Sequence, residues 1–298
     1  MMAGQGHTLE FADIPMQHEK DEAYRFATAG DHRLAYRRCG TGDPVLMLHG
    51  VASYSFLWLP IISELENDFD IVAADLLGCG ASDKPTDADH SITGQAELMI
   101  QLMDALGVAR FHLVAHDVGG GVAQIMSVRY PDRLIDLTLI NPVGYDYWPV
   151  QPITTMRAPV IRHLAQSMMN YGMMRLILRH ALYHKERLTK ELMDTFWKPF
   201  ETAEGRSGFF NLIKAINNLL LTDITEDLRQ LDLPTLLIRG DADAYLSKSI
   251  CNDLARDIPG ARLEHIPHGG HLIQFDEPEK VATLLRAFMA QQSAHGEI

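Results

Sequence analysis

The sequence has few cysteines, a deficit of basic residues and no long apolar run. Its three cysteines are odd in number and show no C-x-x-C spacing, so neither a disulfide framework nor a zinc site is predicted. The 26 basic residues are outnumbered by 39 acidic ones, and the formal net charge is −13. This balance argues against nucleic acid or an anionic membrane as a partner. No apolar run approaches the roughly 18 residues that a membrane span needs.

The start of the chain shows no targeting pattern, because residues 17–21 lack the basic and apolar stretches of a secretory signal. Together with the unpaired cysteines, this predicts a cytoplasmic protein. The 298 residues, 47% of them hydrophobic, suffice for one substantial core and an inserted subdomain. The sequence is consistent with a monomer or a homodimer.

Short apolar runs alternate with helical patterns along most of the chain. An antiparallel pair of strands is predicted at residues 22–28 and 33–38. Buried strands are predicted at residues 44–48, 69–74, 111–115, 134–140, 235–239 and 262–266. Because helical patterns separate these strands, the predicted fold class is α/β, with a mostly parallel central sheet flanked by helices.

The pattern changes after residue 142, where about eighty residues show helical periodicity and no strand. Helices are predicted at residues 154–170, 172–183, 189–197 and 206–221. Methionine is frequent here, which is compatible with ordinary helical packing but also with a pliable lid over an apolar pocket. We therefore predict a core of residues 1–142 and 223–298, and a helical cap of residues 143–222.

Asp117 lies where a predicted strand turns directly into a helix. The frame from Ala115 to Gly119 has the form of the G-x-S-x-G elbow, with aspartate at the usual place of the nucleophilic serine. The glycines that follow are the small residues that such a tight turn needs. From these residues alone, Asp117 is either a nucleophile or a helix N-cap.

Two further candidate groups follow later strands. An acid, Asp241 or Asp243, comes after the strand at 235–239, and His271 comes after the last strand. The carboxyl ends of parallel strands share one edge of a sheet, so these groups are expected to meet Asp117 there. His271 also belongs to a run of three histidines spaced by three, but no carboxylate or cysteine cluster completes a metal site. We predict neither a metal nor a cofactor.

From residue 44 to the last helix, these motifs resemble the α/β-hydrolase superfamily with a helical cap. The His-Asp-x-Gly-Gly elbow is similar to that of the branch with an aspartate nucleophile, which contains epoxide hydrolases and haloalkane dehalogenases. The resemblance implies that Asp117 forms a covalent ester and that His271 activates water. It places the acid at Asp243 rather than Asp241. The acid position of some other relatives holds Asn141, whose amide cannot stabilise a cation.

The resemblance also implies an oxyanion hole formed by the backbone N–H groups of Val51 and Val118. The side chains at these two places are not the asparagine and tryptophan that hold halide in dehalogenases, so epoxide opening is favoured over halide displacement. The substrate is expected to be small to medium-sized and apolar. Opening of the epoxide needs a proton donor in the cap, and His163 is the first candidate. Further possible contacts of the leaving group or substrate are Tyr145, Tyr147 and Trp148.

Other chemistries on this fold stay open at this point. Halide displacement, or hydrolysis of an ester, lactone or carbon–carbon bond, would also be compatible with the motifs. The motifs would be equally compatible with a lyase, a cofactor-free oxygenase or a protein without catalytic activity.

Overall fold

The computed structural model describes residues 24–149, 151, 153–156 and 158–294. The described residues contain one eight-stranded sheet in the order β1-β2-β4-β3-β5-β6-β7-β8. The strands are β1 (Arg25–Ala29), β2 (His32–Cys39), β3 (Asp43–Leu48), β4 (Phe69–Ala74), β5 (Phe111–Asp117), β6 (Leu134–Pro142), β7 (Thr235–Gly240) and β8 (Arg262–Ile266). All neighbours from β4 to β8 are parallel, and β2 pairs antiparallel with both β1 and β4. The predicted α/β class and mostly parallel sheet are confirmed.

The central strands are buried on both faces, which explains why they are apolar runs rather than alternating patterns. All seven residues of β5 and all six of β7 are buried. The edge strand β8 is mostly half-buried or exposed. The buried strands therefore place the residue that ends β5 at the centre of the sheet, with its backbone held by β3 on one side and β6 on the other.

Helices connect the strands and cover the sheet. They are α1 (Leu59–Leu65), α2 (Ile92–Ala105), α3 (Val118–Arg129), α4 (Ile153–Met156), α5 (Pro159–Met168), α6 (Tyr171–Ala181), α7 (Lys190–Trp197), α8 (Ala203–Ala215), α9 (Leu219–Thr222), α10 (Thr225–Leu228), α11 (Lys248–Asp257), α12 (Ile273–Asp276) and α13 (Pro278–Ser293). Polar side chains start several of them. Ser91, for example, accepts the N–H of Gly94 at the start of α2.

The described residues between β6 and β7 form helices α4 to α10 and no strand. Phe196 of α7 packs edge-on against Phe56 at a centroid distance of 4.6 Å, which anchors these helices to the sheet domain. The predicted helix at 154–170 is instead two helices, because Pro159 cannot continue α4 and begins α5. The helix predicted at 206–221 ends at Ala215. That residues 143–222 form a separable cap stays a prediction.

Within the described part of the chain, no helix is both long and apolar enough to cross a bilayer. The prediction of no secretory signal rests on residues 17–21, and these lie outside the described residues. The cytoplasmic location and the oligomeric state stay predictions.

Candidate active site

Asp117 ends β5 and immediately precedes α3. Its backbone has φ 53° and ψ −121°, a region that residues with a side chain rarely adopt and that marks a strained turn. Gly119 makes this turn possible, because a Cβ there would lie 2.4 Å from the carbonyl oxygen of His49. The Asp117 side chain makes no capping hydrogen bond to α3. Instead, its Oδ1 accepts the N–H of Val51 at 2.8 Å, so the geometry does not support a helix cap.

His271, in the loop after β8, lies between two carboxylates. Its Nε2 is 3.8 Å from Oδ2 of Asp117, and its Nδ1 is 3.1 Å from Oδ2 of Asp243. A carboxylate accepts hydrogen bonds, so Nδ1 carries the proton and Nε2 of the neutral ring presents its lone pair toward Asp117. The structure thus brings together the three residues that the chain order predicts. Their catalytic roles stay predictions.

Asp243 is held in a network of donors. Its carboxylate accepts the N–H groups of Tyr245 at 2.8 Å and Leu246 at 3.1 Å, and Nη1 of Arg239 donates to it at 3.1 Å. Burial by itself raises the pKa of Asp243, but the charge and hydrogen bond of His271, followed by Arg239, bring it down to about 2. Asp243 is therefore ionised at neutral pH and orients the His271 ring.

Burial also acts on His271, where it opposes the charged form of the imidazole. The negative charge and hydrogen bond of Asp243, together with the charge of Asp117, outweigh burial, and the pKa of His271 is raised above its ordinary value. The positive charge of Arg239 acts in the opposite direction. The proton affinity of His271 is consequently set by three neighbouring charges.

Two polar side chains hold the loop that carries His271. Nε2 of His116 donates to the His271 carbonyl oxygen at 2.9 Å, and burial, followed by the charge of His271, lowers the pKa of His116 to about 4. Asn141 donates to the carbonyl oxygens of Gly270 and His271 at 3.0 and 3.1 Å, and its Oδ1 accepts the N–H of Gly240. Asn141 thus contacts the backbone of the histidine loop, whereas Asp243 contacts the His271 ring.

Asp276, in α12, links the histidine loop to the end of α6. Its fully buried carboxylate accepts three backbone N–H groups: those of Gly270 and Tyr183 on Oδ2, and that of His184 on Oδ1, all within 2.9 Å. A Cβ on Gly270 would lie 2.5 Å from the carbonyl oxygen of Ala181. Asp276 therefore fixes the backbone that follows α6 and the histidine loop against each other.

The other acid and the other histidines of the run have partners elsewhere. Asp241 lies at the surface, with its Oδ1 2.6 Å from Nδ1 of His265. His268 stacks on Tyr183 at a centroid distance of 5.1 Å. The three histidines thus face three different neighbourhoods. Among the described residues, no group of three or more His, Cys, Asp or Glu side chains could hold a metal ion.

A cavity of about 110 Å³ opens beside Asp117 and His271. Its walls are apolar apart from these two residues, the Tyr245 side chain and the indole of Trp148. The hydroxyl of Tyr245 donates to the carbonyl oxygen of Ile177, another wall residue, at 2.9 Å. Among the described wall residues there is no lysine or arginine, so this part of the cavity suits an uncharged, apolar molecule.

Of the cap residues that the sequence predicts as substrate contacts, Trp148 lines the cavity and two tyrosines do not. Trp148 lines the cavity, and its buried indole N–H has no acceptor among the described residues. The hydroxyls of Tyr145 and Tyr147 instead bind Asp257 and Asp253 of α11, and neither tyrosine is a wall residue.

Three predicted residues remain: the two of the oxyanion hole and His163. Val118 lines the cavity, but the described structure contains no hydrogen bond from its N–H to the Asp117 carboxylate. Its oxyanion role stays a prediction, whereas the Val51 N–H already contacts the carboxylate. His163 lies in α5, but its side chain is not among those described.

Three residues of this site escaped the sequence reasoning. Arg239 is the one charged residue in the otherwise apolar strand β7, which is the signal that could have identified it. Tyr245 follows the acid by two residues, and Asp276 follows His271 by five. Neither spacing shows by itself which atoms these side chains contact.

Comparison with known proteins supports this description. The model of the alpha/beta hydrolase fold family matches residues 43–278. A cis-3-alkyl-4-alkyloxetan-2-one decarboxylase of Shewanella oneidensis is 25% identical over 286 residues, covering 89% of this chain and 88% of that protein. Haloalkane dehalogenase 2 of Mycobacterium bovis is 27% identical over 289 residues, covering 93% of this chain and 98% of the relative.

Solved structures show the same fold. The haloalkane dehalogenase DbeA of Bradyrhizobium elkani superposes with a TM-score of 0.81 at 24% identity, over 91% of this chain and 99% of that one. The Cfl2 structure from Burkholderia cenocepacia gives a TM-score of 0.80 at 23% identity, over 89% and 95% of the two chains.

Proposed function

Because the chain belongs to the alpha/beta hydrolase fold family, we propose that it is a hydrolase that acts through a covalent ester on Asp117 and opens an epoxide of a small to medium-sized apolar molecule. One observation carries the proposal. Asp117 has one carboxylate oxygen fixed by the Val51 N–H at 2.8 Å and the other 3.8 Å from Nε2 of His271, at the wall of an apolar cavity.

In the first half-reaction, Oδ2 of Asp117 attacks a ring carbon of the epoxide. The carbon–oxygen bond of the ring breaks, an ester forms on Asp117, and the ring oxygen becomes an alkoxide that must take up a proton. A carboxylate is itself a nucleophile, so this attack needs no base. Oδ1 stays on the Val51 N–H and becomes the carbonyl oxygen of the ester.

In the second half-reaction, water attacks the ester carbon while Nε2 of His271 takes its proton. The oxyanion develops on Oδ1, where the Val51 N–H already lies, and one such donor contributes about 3 kcal/mol in known enzymes. The intermediate collapses to the second alkoxide and an Asp117 carboxylic acid that carries one oxygen and the remaining proton of the water. That proton returns to the group that protonated the first alkoxide, which restores the Asp117 carboxylate. The proton on His271 passes to the departing alkoxide.

Ester formation itself prepares His271 for this step. The charge of Asp117 is one of the interactions that raise the pKa of His271. The ester carries no charge, so that contribution disappears when the first half-reaction is complete. The pKa of His271 then falls, which favours the neutral ring that the second half-reaction requires.

Tyr245 supplies the proton for the alkoxide in this proposal. It is the only residue with a hydroxyl group in the described wall of the cavity, and its ring lies 5.4 Å from that of His271. Burial, with the charge of Asp243, raises the pKa of Tyr245 to about 12. The hydroxyl therefore keeps its proton at neutral pH, and in this proposal it exchanges its hydrogen bond to the Ile177 carbonyl oxygen for one to the alkoxide. The alkyloxetanone named for the Shewanella oneidensis relative is likewise a strained, alkyl-bearing oxygen ring.

A second candidate is the displacement of halide from a haloalkane. The observation that favours it is Trp148, a wall residue whose indole N–H has no acceptor among the described residues. Haloalkane dehalogenase 2 of Mycobacterium bovis is also among the relatives. The first half-reaction would be the same, but the departing halide would need an N–H donor instead of a proton.

The ester on Asp117 can be tested by one turnover in heavy-oxygen water. With excess enzyme over an alkyl or aryl epoxide, the label should enter the Asp117 carboxylate, while the product takes an oxygen from the protein. The His271→Gln variant should accumulate an Asp117 adduct that mass spectrometry detects. Label found only in the product, with no adduct in the variant, would show that water attacks directly and would overturn the proposal.

The two leaving groups can be separated by a matched pair of variants. Tyr245→Phe should lower epoxide turnover by about 10²-fold or more, because a general acid contributes at least that much, and should leave halide release nearly unchanged. Trp148→Phe should show the opposite pattern with haloalkanes. Thermal unfolding of both variants checks that the cavity is intact.

A further inference from the structure

Helices α5 and α6 expose an unusual number of large apolar side chains. Leu176 is 71% exposed and Val160 is 78% exposed. The same two consecutive helices, separated by residues 169 and 170, also expose Ile161, Leu164, Met168, Met173 and Ile177. We refer to these seven side chains, together with Arg175 and Arg179, as the cap face. An apolar surface of this kind marks a site of contact with another molecule or with lipid.

Helix α6 has two apolar stripes. Met174, Leu178 and Ala181 are buried against the rest of the protein. Met173, Leu176 and Ile177 follow the helical spacing of a second stripe, which is exposed. Within the described part of the protein only the first stripe is buried, and of the second stripe only Ile177 also belongs to the cavity wall.

The charge around the cap face is opposite to that of the whole chain. Residues 147–185 contain five lysines and arginines and no aspartate or glutamate, although the chain as a whole has a net charge of −13. Arg175 and Arg179 are exposed on α6. At physiological salt, charges act over about 8 Å, so a surface that meets this face encounters the local positive charge. One carboxylate lies beside α6, because Asp194 of α7 accepts the hydroxyl of Tyr171, and it offsets only part of this positive charge.

The cap face reaches the cavity through Ile177. This residue is 39% exposed and is at the same time part of the cavity wall. The cavity is itself apolar, so a molecule that dissolves in lipid could pass along the exposed stripe into it. Exposed apolar side chains flanked by arginines are typical of segments that lie in a membrane interface.

We propose that the cap face docks on an anionic lipid bilayer and admits an apolar substrate from the lipid past Ile177. A second copy of the chain fits the face less well. Symmetric dimers bring the same patch of both subunits together, so the positive charges of Arg175 and Arg179 in one subunit would be brought toward those of the other. Docking requires no chemistry at Asp117 and therefore stands apart from the proposed function. We expected no membrane partner because the whole chain has a net negative charge, and a net charge does not show the local positive charge of this segment.

Flotation with lipid vesicles tests the proposal. The full chain should bind vesicles that contain phosphatidylglycerol more tightly than vesicles of phosphatidylcholine alone, and added salt should weaken this binding. The double variant Arg175→Gln, Arg179→Gln should bind anionic vesicles about 25-fold more weakly, since each basic residue near a membrane contributes about fivefold. Leu176→Ser should weaken binding about tenfold, because its apolar side chain no longer enters the lipid.

Matched variants on the sheet domain serve as controls. Phe26→Ser removes a side chain that is 45% exposed on β1, and Arg262→Gln removes a charge on β8. Both should bind vesicles like the wild type, and so should Asp117→Asn, which separates docking from catalysis. Absence of vesicle binding, equal binding to both vesicle types or unaltered binding of the cap-face variants would each overturn the proposal. A dimer in light scattering that Leu176→Ser dissociates, without vesicle binding, would identify a second copy as the occupant.

Discussion

Gly50 gives the sharpest test of how Asp117 is positioned. A Cβ added at Gly50 would lie 2.4 Å from both Cβ and Oδ1 of Asp117 and 2.8 Å from its Cγ. The φ of Gly50 does not lie in the left-handed region, so alanine is compatible with the backbone itself. The effect of Gly50→Ala should therefore come from the collision with the carboxylate.

The size of the effect follows from these distances. Non-bonded carbon atoms prefer separations of about 3.5 Å, so the Asp117 side chain or the loop after β3 must move by roughly 1 Å. Such a displacement would also break the 2.8 Å hydrogen bond from the Val51 N–H. A misplacement of about 1 Å typically costs about 10²-fold in rate. We expect kcat/KM to fall by at least that factor, with a loss of stability of about 1–3 kcal/mol from overpacking.

The assay combines steady-state kinetics on apolar epoxides with the rate of adduct formation on Asp117 in single-turnover mass spectrometry. Gly172→Ala is a suitable control, because its Cβ would contact only Oδ1 of Asn170, at 3.3 Å. Thermal unfolding of both variants separates loss of fold from loss of reactivity. If folded Gly50→Ala formed the adduct at the wild-type rate, the reactive carboxylate could not be the one that lies against Gly50.

Three further predictions concern the acids around the site. Asp243→Asn should lower turnover by about 10⁴-fold, as in other triads, whereas Asp241→Asn should change it little; steady-state kinetics with the opposite ranking would contradict the assignment. The pKa of Asp243 is about 2, against an ordinary value of 3.8 for aspartate, so its ionised form should stabilise the fold by about 2 kcal/mol above pH 4. That stabilisation should disappear as the pH falls from about 4 through 2, and urea unfolding should show a smaller pH dependence in Asp243→Asn. Both carboxylate oxygens of Asp276 accept N–H groups, and Asp276→Asn keeps only one oxygen, so at least one donor loses its partner at a cost of about 1–3 kcal/mol. An unchanged melting temperature would argue against the link between Gly270 and the segment after α6.

The sheet was predictable because parallel strands buried on both faces have largely apolar sequences, such as the continuous run from Val45 to Leu48. The positions of Asp117 and His271 followed from the same runs, since each ends or follows a strand at the same edge of the sheet. The division at Pro159 was a missed local signal. Proline cannot lie inside a helix without removing a hydrogen bond, so two helices could have been predicted there.

The residues that the sequence did not reveal depend on contacts between distant segments. Asp276 meets Tyr183 and His184 across more than ninety residues of sequence, and no local pattern specifies that meeting. The expectation for Tyr145 and Tyr147 shows the same limit in reverse. Their hydroxyls were expected near the substrate, but acidic side chains of α11, more than one hundred residues later, bind them outside the cavity.

Two parts of the chain contribute different kinds of chemical group to the cavity wall. Asp117 ends a sheet strand and His271 and Tyr245 lie in loops that follow sheet strands, whereas the segment after β6 contributes carbon surface and the Trp148 indole. A change in α6 or α7 can therefore alter the shape and size of the molecule that is admitted and leave the reacting groups in place. Such an arrangement lets new substrate preferences evolve, or be engineered, by exchanging one contiguous stretch of sequence while the chemistry is inherited intact.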